Sequence, residues 1–258
     1  MSTWIFTDLH GNYSLLRRIF KYIKDSDQVY CLGDCIDRGY NSIWILKDLI
    51  ERKNVTFIRG NHEQMFLDVC QNPENLSFKS PILSDYLLNG GGPTLNGFLL
   101  ENSKTQESIL SYLEKSQIGA VVPFTTIKGD KLTALLSHAG FTPMGNQKDK
   151  ELLLHSSYDL LWDRKHIRDT YNFNAIKDYK DTFIIHGHTP IQYLQKSKNM
   201  LKFREDGAYH YCYGHKIDLD AMTPYTSSAI LLELETGTEI VISTFSKKDL
   251  IFSNRKWV

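Results

Sequence analysis

Aspartate, histidine and asparagine recur along this chain in short glycine-bearing runs: TDLHG at 7–11, GDCIDRG at 33–39, GNHE at 60–63, SHAG at 137–140 and HGHT at 186–189. Five of the nine histidines lie inside them, a concentration that histidines satisfied in a core would not produce. Asp8, His10, Asp34, Asn61, His138 and His188 offer carboxylate, amide and imidazole donors, a set that suits divalent Mn, Fe or Zn without a thiolate cage. Two such ions about 3.5–4 Å apart can clamp the attacking and leaving oxygens of a phosphate ester and make hydroxide available near neutral pH. One ligand should bridge them. Asp34 is the candidate, with Asp8 and His10 on one ion and Asn61, His138 and His188 on the other. A planar guanidinium matches phosphate geometry, so Arg38, four residues beyond Asp34, is the first phosphate clamp and Arg164 the second. The leaving alkoxide needs a proton. His62 can donate it, and Asp37 can hold the imidazolium in position and raise its pKa.

Each residue also has a plainer reading. An aspartate at a strand end often only caps a helix, Arg38 could simply pair with Asp37, and Arg164 could be a surface residue following Leu160, Leu161 and Trp162. The ordered combination of runs favours the metal site over these alternatives. His186 stays open between a structural hydrogen bond and a catalytic task. Cys35, beside the proposed bridge, reads better as a small buried packing residue than as an oxidation-sensitive thiol.

The elements that must aim these runs follow from hydrophobic periodicity. Strands are expected at Thr3–Thr7, Gln28–Leu32 and Val55–Ile58, each running into a glycine turn. Helical spacing follows each of them: Leu15, Leu16, Ile19, Phe20 and Ile23; then Ile43, Leu46, Leu49 and Ile50; then Met65, Phe66, Val69 and Cys70. Right-handed crossovers make such strands parallel, with their carboxyl ends facing one crevice. The 71–115 stretch, broken by Gly90, Gly91, Gly92 and Pro93, reads as a helical insertion or cap. Beyond it, hairpins are expected at 119–127 with 131–137 and at 229–234 with 239–245, so the second half should turn antiparallel.

Composition permits this. A chain of 258 residues suffices for one sizeable core, and one domain over 1–258 is expected. Lys and Arg together number 30, as do Asp and Glu; no global field exists to draw in a nucleic-acid polymer or an acidic membrane, so an anionic substrate must be held by local cations. The four cysteines show neither zinc-type pairing nor a dense disulfide framework, no apolar run is long enough to span a bilayer, and no signal segment opens the chain. A reducing cytoplasm is the expected location. Oligomeric state is left open.

The runs DLHG, GDCIDRG, GNHE, HAG and HGHT resemble the signature set of the phosphoprotein phosphatase family within the calcineurin-like metallophosphoesterases. The likeness spans Asp8 to Thr189 and is greatest to the short bacterial and bacteriophage serine/threonine phosphatases, whose middle GGGPTL at 90–95 also resembles. It implies an α/β (α+β) fold: a central mixed β-sandwich flanked by helices, with a dimetal site at the strand ends. It further implies two divalent ions, Mn foremost and Fe or Zn as alternatives, on Asp8, His10, Asp34, Asn61, His138 and His188. The family's acid and supporting carboxylate fall on His62 and Asp37, and its phosphate contacts on Arg38, Arg164 and Asn61.

The activity implied is hydrolysis of protein phosphoserine or phosphothreonine, with phosphotyrosine as an additional substrate, by direct attack of a metal-bound hydroxide. Partners are accordingly a phosphorylated protein or a small phosphoester. Symmetric hydrolysis of diadenosine tetraphosphate is the alternative, since family members with that activity share the ligand set, and Tyr86, Phe98, Tyr209 and Tyr211 are available to stack on a base. A non-catalytic partner-binding module on the same fold is a third reading, disfavoured by the intact ligand set. Three departures stand out. Thr7 replaces a glycine, and Thr189 and Pro190 follow His188, so the second histidine of the wider GHxH pattern is absent, which argues against cyclic phosphodiesterases. HKIDLDAM at 215–222 lacks the glycine of the bacterial Ile-Asp-Thr-Gly stretch, leaving open whether Asp218 or Asp220 approaches the site. AYHYCYGH at 208–215 reads equally as substrate rim or as strand packing.

Overall fold

The computed structural model describes residues 1–142, 155–168, 181–195, 206–212, 214–253 and 257. Its first strand, β1 (Thr3–Phe6), is buried on both faces, and alternation divides it: Trp4 and Phe6 join one apolar cluster, Ile5 another. Two β-α steps follow, α1 (Tyr13–Ile19), β2 (Gln28–Cys31), α2 (Ser42–Glu51) and β3 (Val55–Phe57), and then α3 (Asn61–Cys70). The three strands pair in parallel, Thr3 opposite Gln28 and Val29 opposite Val55. Ile23 lies beyond α1, which ends at Ile19. The chain then runs through a short 3₁₀ turn at Pro73–Leu76, α4 (Pro81–Leu88), α5 (Gly92–Leu99) and α6 (Ser103–Lys115).

The second half contributes β4 (Gly119–Thr125), β5 (Lys131–Ser137), α7 (Ser157–Trp162), β6 (Thr182–His186), β7 (Tyr209–Tyr211), β8 (Lys216–Asp218), β9 (Ser228–Glu233), β10 (Thr238–Ser243) and β11 (Leu250–Phe252). The tail hairpin β9–β10 returns to the first sheet, where β9 pairs antiparallel with β1, giving the order β11-β10-β9-β1-β2-β3. The remaining strands form a second sheet, β4-β5-β6-β8-β7. The expected antiparallel character of the second half fails at its centre: β5 pairs in parallel with β6, and β6 with β8. The long connection from β5 to β6 carries α7 and returns the chain to the end at which β5 began, which a hairpin cannot do.

The two sheets face each other across one apolar layer. Ile5, Leu32, Ile230, Leu232 and Val241 from the first meet Val122, Ala134, Leu136, Phe183, Ile185 and Ile217 from the second. The outer face of the first sheet is covered by the helices through Leu15, Leu16, Ile45, Leu46, Leu49, Phe66 and Phe98. Leu135 and Ile184 on the outer face of the second meet Phe141 and Leu160. Each fully buried Leu, Ile or Phe contributes roughly 1.5–3 kcal/mol, so three apolar layers fix the sheets against each other. Six strand ends therefore point the same way: β1, β2 and β3 in one sheet and β5, β6 and β8 in the other. Among the described residues no helix is long and apolar enough to cross a membrane.

Candidate metal centre

All five motif runs leave the carboxyl ends of parallel strands, and the backbone there is unusual. Asp8, His10, Asp34, Asp37, Arg38 and His188 all have positive φ, between 43° and 69°. Left-handed backbone costs a non-glycine residue roughly 1–2 kcal/mol, so these turns persist only because their surroundings impose them. Tight approach also explains two glycines. A β-carbon at Gly187 would lie 2.1 Å from Asp8 Oδ2, and one at Gly33 would lie 2.2 Å from the Gly60 amide nitrogen.

Two clusters of donor atoms meet at Asp34. On one side, His10 donates from Nδ1 to the Ile36 carbonyl (3.1 Å) and turns Nε2 inward, 3.9 Å from both Asp8 Oδ1 and Asp34 Oδ2. On the other, His138 donates from Nδ1 to the Leu32 carbonyl (2.7 Å), so its Nε2 faces Asn61 Oδ1 at 2.9 Å and Asp34 Oδ1 at 3.3 Å. His188 Nδ1 reaches the same Asn61 oxygen at 2.9 Å. His10, Asp34 and His62 lie within reach of one ion, as do Asp34, His138 and His188, and Asp34 belongs to both groups.

The donors present fit a pair of divalent ions. Asp8 Oδ1 is buried without a hydrogen-bond partner, and buried polar atoms are rarely left so. Burial, then the charges of Asp220 and Asp34, hold the Asp8 carboxyl well above the ordinary range. Burial keeps His10 and His188 well below the usual imidazole range, hence neutral with a free lone pair. His138 is opposed by burial, but the Asp34 charge and hydrogen bond outweigh this and raise it to about 10.

His62 differs from these ligands. It opens α3, its amide donates to Asp34 Oδ1 (3.1 Å), and its Nδ1 is held by Asp37 Oδ2 at 2.7 Å. Burial disfavours its charge, yet the Asp34 charge, and the hydrogen bond and charge of Asp37, outweigh burial and raise its pKa. Arg38 reaches out along the cavity, its Nη1 lying 2.9 Å from His10 Nε2 and its Nη2 2.9 Å from His62 Nε2.

Three supports escaped the sequence reading. Glu63, the third residue of α3, is wholly buried and accepts from the amides of Gly60, Asp34 and Cys35 at 2.8–3.0 Å and of Ile36 at 3.3 Å, tying GDCIDRG to GNHE. Burial and then Asp34 push its carboxyl up to about 7 against those amides. The glutamate three residues after a helix-capping position is a recognisable signal. Tyr86 donates to Asp37 Oδ1 at 2.6 Å, and the Asp37 amide donates to Thr94 Oγ1 and Ser42 Oγ. The Arg38 amide donates to the Gly90 carbonyl at 2.8 Å. The run 90–95 therefore clamps the left-handed Asp37–Arg38 turn.

Arg164 is exposed. It is held at 3.3 Å by Thr189 Oγ1 and by the His188 carbonyl, at the rim of a cavity of about 1010 Å³ that also exposes His10, Asp34, Arg38, Asn61, His62 and His188. Tyr209 and Tyr211 line that cavity, stacked at 5.7 Å, whereas Tyr86 and Phe98 are buried against Phe66 in the helical layer and cannot reach a base. His186 hydrogen-bonds Tyr211 through Nε2 (2.6 Å) and Gly187 through Nδ1 (2.9 Å), and burial drives it down to about 3. Cys35 is buried with its sulfur 3.1 Å from that of Cys31, and burial pushes its thiol well above the usual range, which leaves it protonated and unreactive. Asp218 lies wholly buried behind the site, and Asp220 lines the cavity.

A sandwich whose parallel strand ends converge on histidine, carboxylate and amide donors defines a metal-dependent hydrolase. The chain belongs to the calcineurin-like phosphoesterase family, whose model matches residues 1–219. It is 24% identical over 201 residues to serine/threonine-protein phosphatase 2 of Escherichia coli (strain K12), covering 77% of this chain and 84% of that one. To serine/threonine-protein phosphatase 1 of Salmonella typhimurium it is 25% identical over 193 residues, covering 73% and 79%. Among solved structures it resembles a cold-active protein-tyrosine phosphatase of a psychrophilic Shewanella (TM-score 0.58, 16% identity, 98% of this chain and 80% of that one). It also resembles a chain provisionally assigned as a diadenosine tetraphosphatase (TM-score 0.56, 15% identity, 93% and 92%). At those identities the structures speak for the fold alone.

Proposed function

We propose that this protein is a two-metal phosphomonoesterase that removes phosphate from protein serine and threonine, and that Mn is its working metal. The observation that carries the reading is Arg38: one guanidinium spans a proposed ligand, His10, and the proposed acid, His62, from the mouth of the cavity. The names of the bacterial relatives support the substrate class.

Asp8 and His10 would hold one ion, Asn61, His138 and His188 the other, and Asp34 both. When bound, the pair would supply Lewis acidity and a water acidified toward neutral pH. The chain's own residues do the rest. The outer nitrogens of Arg38, now spent on two imidazoles, turn to the non-bridging oxygens of the phosphoryl group, and Arg164, lining the same cavity, meets it as a second cation. His62, kept charged by Asp37 and Asp34, gives its Nε2 proton to the departing oxygen. Tyr86, Thr94 and Ser42 hold Asp37 so that the imidazole cannot rotate out of line.

A second reading, hydrolysis of a dinucleotide, is favoured by the Tyr209–Tyr211 stack on the cavity wall, with Trp162 beside His188 at 6.3 Å. Metal-stripped protein reloaded with Mn separates the two. Phosphate release is compared on a phosphoserine peptide, a phosphotyrosine peptide and diadenosine tetraphosphate at equal concentration. Peptide turnover well above the dinucleotide is the expected result, and the reverse order would make the protein a nucleotide hydrolase.

A further inference from the structure

The cavity is larger than its chemistry needs. At about 1010 Å³ it stands at the upper end for sites that take a drug-sized ligand, roughly 300–1,000 Å³, so much of it remains once a phosphoryl group is held beside Arg38 and Arg164. What surrounds that remainder is apolar. Leu88 closes α4, Tyr193 follows β6 and Tyr225 follows β8; all three line the cavity, and they are 85%, 67% and 73% exposed. Large apolar side chains gathered on one exposed rim mark a place where another molecule docks. Trp162 continues the rim from α7, 6.3 Å from the His188 ring and stacked on Tyr158 at 6.5 Å.

One wall of the rim is held in place before any ligand arrives. Alternation along β7 turns His210 to the side opposite Tyr209 and Tyr211. His210 Nε2 meets Oε1 of the buried Glu239 on β10 at 2.5 Å, and the Ala208 amide donates to Oε2 of the same carboxylate at 2.7 Å. On the other side, the Tyr211 hydroxyl meets His186 at 2.6 Å and His166 at 3.3 Å, with Lys216 Nζ 5.7 Å from its ring centre. An edge strand of three residues is thus pinned to both sheets. Its stacked tyrosines face the cavity without an ordering cost at binding.

Charge narrows the ligand. Among the described residues no lysine or glutamate lines the cavity; besides histidine its cations are Arg38 and Arg164, and its acids, Asp34 and Asp220, are buried. One phosphoryl group takes up both arginines. A chain of several phosphates would bring charges that the described rim has no further cation to meet. Acidic or basic neighbours of a phosphoserine would likewise lie against Leu88, Tyr193 and Tyr225 with no counter-charge. Aromatic and aliphatic side chains gain there by burial and by ring contact.

We propose that this rim selects phosphoserine and phosphothreonine whose sequence neighbours are aromatic or large and apolar, with Tyr193, Tyr209, Tyr211 and Tyr225 determining the preference. The proposal rests on the protein-phosphatase reading above.

Phosphoserine peptides that differ only in the residues flanking the phosphoserine, Phe, Ala, Glu or Lys, are compared by kcat/KM with Mn-loaded full-length protein. The Phe-flanked peptide should exceed the Ala-flanked one by about tenfold, mainly through KM, the scale of one added ring contact with its burial. Glu and Lys should fall at or below Ala. Tyr209→Ala should bring the Phe-to-Ala ratio toward one. Tyr225→Ala, at an exposed position, should lower it as well and serves if the first variant fails to fold. Arg164→Ala, which touches the phosphoryl group common to every peptide, should slow all of them and leave the ratio standing. A wild-type ratio near one, faster turnover of the Glu- or Lys-flanked peptides, or a ratio that survives both tyrosine substitutions overturns the proposal. Phosphate released from diadenosine tetraphosphate and from none of the peptides overturns the phosphatase reading itself, and the proposal with it.

Discussion

The two sheets hold their shares of the site differently. Side chains on the loops after β1, β2 and β3 are fixed several times over: Asp37 is engaged by His62, Tyr86, Thr94 and Ser42, and Glu63 alone takes four amides. His138 and His188 of the second sheet are likewise fixed, by Leu32, Asn61 and Asp8, but the residues it adds at the rim are held more lightly. Arg164 is exposed on two 3.3 Å contacts, and the Tyr211 hydroxyl meets His186 at 2.6 Å and His166 at 3.3 Å. The first region can keep reacting groups within the small tolerance that proton and phosphoryl transfer require. The second presents aromatic and basic groups at a rim that a substrate can adjust. Catalytic groups thus gather after the first sheet and on His138 and His188 of the second, and substitutions there and at the rim should differ in kind.

The largest effect is expected where the sides meet. Asp34→Asn removes the one carboxylate common to both donor clusters. Since metals contribute several kcal/mol to phosphoryl transfer, phosphate release should fall by at least about 10³-fold, with elemental analysis showing incomplete metal loading. His62→Asn comes next. It should leave metal content intact and slow a phosphoserine peptide by about 10²–10⁴-fold, the usual worth of a general acid, while an aryl phosphate with a good leaving group suffers far less. Equal loss on both substrates would remove His62 from the acid role.

The pH profile sharpens the same point. A raised pKa keeps His62 charged to higher pH, so phosphoserine turnover should persist below that pKa and fall as pH rises through it. Asp37→Asn withdraws one raising influence and should move the alkaline limb to lower pH, as rate profiles of metal-saturated enzyme would record. The arginines compare the regions directly. Arg38→Ala should cost about 10²-fold in kcat, the scale for losing one transition-state donor, and Arg164→Ala about tenfold, mainly in KM. The smallest effect belongs to Tyr86→Phe, which strips one bond from a carboxylate that keeps others. A loss of about 1–3 kcal/mol in denaturant titrations is expected, with metal binding retained.

The legibility of the sequence follows the same division. The first sheet's parallel core was readable because Thr3–Phe6, Gln28–Cys31 and Val55–Phe57 are short apolar runs that end in glycine turns, and the donors follow within a few residues. The second sheet was not, because whether β6 lies parallel or antiparallel to β5 depends on a connection of more than forty residues, not on any local period. Glu63 was visible by its spacing from Gly60 but went unassigned, since its four acceptor contacts join two distant loops. Tyr86 looked like a stacking residue; only folding shows that α4 turns its hydroxyl onto Asp37, forty-nine positions earlier. Asp220 was left open because its approach to the site depends on where β8 ends.

The most direct test of a centre shared through Asp34 is anomalous diffraction from Mn-soaked crystals of the wild-type protein. Two peaks should appear with Asp34 between them, Asp8 and His10 around one and Asn61, His138 and His188 around the other. A single peak, or a second one bound by His62 in place of Asp8, would contradict the bridge and the acid together.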